Sequence, residues 1–133
     1  MKNLIMVTIM SLALFTMSCN DSSSHKDVAI ELNNGERWKV NAEMTPFILE
    51  AENILNEYSD SDYEELAEQL EDQNKRLIKS CTMSGESHDE LHKWLHPHMQ
   101  LVKALDDAKN KEEAALIISD LKKSFQTYNT YFR

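Results

Sequence analysis

The chain has 133 residues, with 23 acidic against 14 basic side chains, a formal net charge of −9 and two cysteines. That length holds one domain. An acidic surface with no basic stripe repels phosphate backbones, which argues against nucleic acid as a partner.

The N-terminus reads as an export signal. Lys2 supplies a positive start, Leu4 to Phe15 an apolar run, and Thr16-Met17-Ser18 ends in a small residue before Cys19. The run is too short to span a bilayer comfortably, as expected of a signal peptide over residues 1–18. Ser18-Cys19 after such a run resembles the lipobox of bacterial lipoproteins. The resemblance implies that Cys19 is lipidated and becomes the first residue of a mature chain anchored in the cell envelope, inner or outer membrane. Ordinary signal cleavage at the same bond is the alternative. The polar run Asn20-Asp21-Ser22-Ser23-Ser24 fits a flexible tether over residues 19–27. All 23 acidic residues and all basic ones but Lys2 follow position 18, so the mature chain carries about −10. Lipidation of Cys19 would leave Cys81 alone in an oxidising compartment, where it must be buried, metal-bound or paired with another chain.

The folded domain is expected over residues 28–133. Asn34-Gly35 between the short runs Ile30–Leu32 and Trp38–Val40 predicts a small β-hairpin, because a type I′ turn needs positive φ at both central positions. One hairpin is marginal alone and must lie on something larger, with Trp38 as its anchor. Thr45-Pro46 predicts a helix start, with Thr45 as cap and Pro46 in the first turn. Four amphipathic stripes follow at three-and-four spacing. The first carries Phe47, Ile48, Ala51, Ile54, Leu55 and Tyr58. The second carries Tyr63, Leu66, Ala67, Leu70, Leu77, Ile78 and Cys81, with Asn74 a polar interruption at a core-like position. Ser87 and Glu90 form the pattern of a capping box at the start of the third, whose stripe is Leu91, Trp94, Leu95, His98, Val102 and Leu105, with Pro97 inside it. The fourth begins near Asn110 and carries Ala114, Ile117, Ile118, Leu121, Phe125, Tyr128 and Phe132. Short links between four such helices predict an all-α, up-down-up-down four-helix bundle. That topology gathers Met44, Cys81, Met83, His88 and His92 at one pole, roofed by Trp38 and Tyr131.

Residues 81–99 concentrate the chemistry: four of the five histidines, Cys81, Met83 and Met99. His88 and His92, four apart on a helix, can present two imidazoles to one ion. Thiolate and thioether favour Cu(I), zinc or haem iron, and imidazole suits copper, zinc and iron. Cys81, Met83, His88 and His92 are therefore the expected ligand set, copper first and zinc second, with Met44, His98 and Met99 as additional candidates. His96 is expected to drift outward from the shoulder shared by 88, 92, 95 and 99. Against this stand ordinary roles: an exposed His96, a core His98, gap-filling methionines, and Cys81 as a small buried apolar residue.

His88-Asp89-Glu90-Leu91-His92 resembles the zinc-protease His-Glu-x-x-His helix, but Asp89 stands where the general base belongs and no third ligand follows. Asp89-x-x-His92 is one approximate copy of a di-iron motif that needs two. In architecture the bundle is similar to the b-type and c-prime cytochromes. That similarity implies haem near one pole, with Met44 and His98 or His92 as axial ligands, held non-covalently because no Cys-x-x-Cys-His motif is present. The leading expectation is a non-enzymatic envelope lipoprotein that binds a soft metal. The competing one is an interaction module docking a membrane or envelope protein complex, with structural histidines.

Overall fold

The computed structural model describes residues 29–59 and 61–133. The signal peptide, Cys19 and the tether lie outside the described residues. The described chain is a bundle of four helices: α1 (Thr45–Glu57), α2 (Tyr63–Lys79), α3 (Glu86–Asp106) and α4 (Lys111–Tyr131). Each helix packs on the one before it, and α4 also touches α1.

The stripes read from the sequence supply the buried faces, except that Ile78, expected in the stripe of α2, is 47% exposed. Leu70, Leu91, Leu105 and Leu121 are wholly buried, and Leu55, Phe125 and Phe132 nearly so. Each such side chain contributes about 1.5–3 kcal/mol of transfer free energy, so the bundle rests on its apolar seam. Local signals set the helix ends. Asp62 caps α2 by accepting from the Glu64 and Glu65 amides at 3.0 and 3.1 Å. Asn110 caps α4 through the Glu113 amide at 2.9 Å, while the Glu113 carboxylate reaches back to the Lys109 amide at 3.0 Å. These contacts satisfy amides that have no partner inside the helix.

Two expected caps differ. α1 begins with Met44 in the cap position and no side-chain cap. Thr45 lies inside the helix, its hydroxyl donating to the Asn41 carbonyl at 3.3 Å. α3 starts at Glu86 behind Gly85, without a side-chain cap, so Ser87 and Glu90 form no capping box. Gly85 has φ +73°, a left-handed conformation that costs glycine little. The chain therefore turns into α3 two residues earlier than the box would place it.

Where a hairpin was expected, the described residues contain a tight turn and no β-strand. Asn34 and Gly35 take φ +52° and +88°, and Asn33 and Glu36 exchange both backbone hydrogen bonds at 2.9 and 3.0 Å. Pairing between the two arms ends at that bridge. The returning arm pairs with the C-terminus instead. Trp38 donates to the Tyr131 carbonyl at 2.7 Å and accepts from the Arg133 amide at 2.9 Å, and Val40 donates to the Arg133 carbonyl at 2.8 Å. The Trp38 indole donates to the Glu31 carbonyl at 2.6 Å. Trp38 is thus an anchor, but through a parallel bridge to Phe132.

Candidate metal centre on the third helix

Four residues advance a helix by a little more than one turn, so each step of four drifts only about 40° around the axis. Side chains at 88, 92 and 96 can therefore stack along one edge of α3, and they do. The ring centroids of His88 and His92 are 4.2 Å apart, and those of His92 and His96 5.0 Å apart. His96 drifts outward as expected and is exposed where His88 and His92 are half-buried, yet its ring still forms the third rung of the row. Burial, followed by the neighbouring His88 and His96 rings, lowers the His92 pKa, and Asp89 opposes the shift. His92 therefore stays a neutral imidazole, the form that binds metal, at a pH where an unperturbed ring would already hold a proton.

The row begins at the pole where the N-terminal segment crosses the bundle. Glu90 accepts from the Glu31 amide at 3.0 Å and from Lys93, and Lys93 also donates to the Ala29 carbonyl at 3.3 Å. Burial raises the Glu90 pKa, but the hydrogen bonds from Lys93 and Glu31 outweigh it and the net shift is downward. Asn41 ties the entry of α1 to the end of α2, donating to Thr82 Oγ1 at 2.9 Å and the Ser80 carbonyl at 3.5 Å. Beside the row, His92 and His96 edge an open groove of about 700 Å³ that runs between α3 and α4 over Trp94, Leu101 and Tyr131.

The remaining candidates have other surroundings. Cys81 is a free, half-buried thiol, and both it and Met83 pack against the core cluster. Among the described residues no three His, Cys, Asp or Glu side chains converge into a preformed metal site, so Cys81 does not join the imidazole pair in one. Met44 is a core residue, 1% exposed. Met99 lies on the same edge of α3 as the row, in a groove shared with α2 that His96 also lines.

His98 is equally buried. Its Nδ1 lies 3.0 Å from Ser124 Oγ, and its ring stacks on Trp94 at 4.8 Å and meets the edge of Phe125 at 4.8 Å. Ser124 also accepts the Trp94 indole through its carbonyl at 2.8 Å. Burial pushes the His98 pKa down to about 4. A haem held by Met44 and His98 would have to displace this aromatic cluster from the core.

Sequence reasoning missed His96 as part of the row, although it has the same spacing of four that singled out His88 and His92. It also missed Glu90 and Lys93 as a clamp, because their partners at 29–31 are about sixty residues away and no local pattern links them. No protein-family model matches the chain, and comparison with curated proteins and with solved structures finds no match either.

Proposed function

We propose that the protein is a non-enzymatic, lipid-anchored envelope protein that binds a first-row transition metal on the histidine row of α3, copper before zinc. The observation that carries this reading is the His88–His92 pair, two imidazoles one helical turn apart with centroids 4.2 Å from each other. Such a pair is a two-donor chelate on a rigid element. Two donors favour Cu(I), which accepts low coordination numbers, over Zn(II), which asks for four ligands. Cys81 and Met83 precede the row in the link between α2 and α3. They could supply further soft donors only by leaving the core against which they pack. The acidic chain adds a long-range attraction for cations of either metal. Anchoring by Cys19 would hold the site at the membrane surface.

A competition titration against a Cu(I) chelator tests the reading. The His88→Ala, His92→Ala pair is expected to weaken binding at least about a hundredfold, or roughly 2.8 kcal/mol. His98→Phe is expected to leave it unchanged. Equal affinity in all three proteins would replace metal binding with the interaction-module reading.

A further inference from the structure

The metal reading leaves Asn74 unexplained. It occupies the core-facing row of α2 between Leu70 and Leu77 and is only 6% exposed. A polar residue kept in a bundle seam to fix its register normally meets a mate across the interface. Asn74 has no such mate: its side chain forms no hydrogen bond among the described residues, and its polar atoms are the part of it that solvent still reaches.

The amide opens instead onto a groove of about 510 Å³ between α2 and α3. Ala67, Ile78, Met99 and Val102 supply its apolar walls. Ile78 and Met99 are 47% and 36% exposed, two of the few large apolar side chains that this fold leaves in water. The cations on the rim are already neutralised within their own helices, Lys75 by Glu71 at 3.2 Å and Lys103 by Asp107 at 3.0 Å. His96 and Gln100 also line the groove, and Glu71 and Asp106 on the same lining disfavour an anion.

We propose that this groove binds a small neutral molecule with an apolar body and a planar amide-type edge. Asn74 offers a carbonyl and an NH2 side by side, and an adjacent N–H and C=O on the ligand is their complement. The apolar body would cover Ile78 and Met99. The volume falls within the roughly 300–1,000 Å³ typical of small-molecule sites. The groove shares His96 with the row but neither His88 nor His92, and binding there does not depend on metal.

The test is an NMR titration of the ¹⁵N-labelled full chain with benzamide, a primary amide that presents a phenyl body and an N–H beside its C=O. Its ester counterpart methyl benzoate, which lacks the N–H, is titrated in parallel. Benzamide is expected to shift the Ala67, Ile78 and Val102 amides saturably and to bind about tenfold more tightly than the ester, the scale of one hydrogen bond. Asn74→Leu should reduce benzamide to the level of the ester. Met99→Lys, a change on the exposed rim that leaves the core intact, should weaken both. No saturable shift up to about 10 mM benzamide, equal affinity for amide and ester, or indifference to Asn74→Leu would each overturn the proposal.

Discussion

Helix α3 carries two kinds of histidine. His88, His92 and His96 stand in a row along its outer edge, ring beside ring, where the imidazole nitrogens can meet an ion. His98, two residues beyond His96, is 1% exposed, stacked on Trp94 and held by Ser124. Residue type and helix are the same, and the angular position on the helix separates the two. The core-facing ring behaves as a neutral aromatic with one polar handle, while the row keeps its nitrogens for chemistry. Depressed basicity is common to both kinds, since burial lowers His92 as well as His98. It does not by itself mark a functional ring.

The comparison can be broken most severely at His98. His98→Ala would leave a cavity among Trp94, Phe125 and Ser124 and remove the partner of the Ser124 hydroxyl. A loss of about 3–5 kcal/mol in stability is expected, read by chemical denaturation. The same substitution at His96, which is exposed, is expected to change stability by less than about 0.5 kcal/mol.

Acid sharpens the same contrast. The unfolded chain protonates the His98 ring below about 6.5, but the folded protein does so only below about 4. The stability contributed by the neutral ring is therefore complete above about pH 6.5 and is lost as the pH falls toward 4, in total about 3 kcal/mol. His92, whose folded pKa is also lowered, adds a smaller loss in the same direction. Glu90, depressed below 4.5, adds its own at lower pH. Denaturation curves collected between about pH 7 and pH 4 check this, and His98→Phe should flatten most of the slope.

Glu90 tests whether the pole that carries the row is held from outside. Glu90→Gln removes the charge that Lys93 and the Glu31 amide share, and about 1 kcal/mol of stability should be lost. Hydrogen exchange at the Glu31 amide should accelerate more than exchange in α2. The smallest effect is expected at Asn74. Asn74→Leu should raise stability by about 0.5–1 kcal/mol in a thermal melt, because an amide without a protein partner is replaced by a side chain suited to the seam.

Much of this architecture was legible because it is local. Leu66, Leu70, Leu77 and their counterparts on the other helices recur at helical spacing, and Asp62 and Asn110 sit where caps belong, so the four helices could be read directly. The Asn34-Gly35 turn was legible for the same reason, since its positive φ values demand those residue types. What the arms of that turn would pair with was not. Trp38 bonds to Tyr131 and Arg133, more than ninety residues away, and nothing in a short run of sequence encodes such a partner. At α3, a capping-box pattern competed with a glycine that already turns the chain, and the glycine prevailed. His88 and His92 were visible as a pair. His96 was set aside by counting angles from a fixed shoulder, whereas neighbouring rings lean toward one another and absorb a drift of about 40° per step.

The central claim is that the rings on the edge of α3 bind metal and the ring in its core does not. Imidazole NMR of the full chain, titrated with Ag(I) as a diamagnetic stand-in for Cu(I), tests that distinction directly. The account predicts that the His88 and His92 ring signals move together and saturate at one equivalent, while the His98 signals stay in place. Unmoved His88 and His92 signals, or a shift at His98 in their stead, would contradict it.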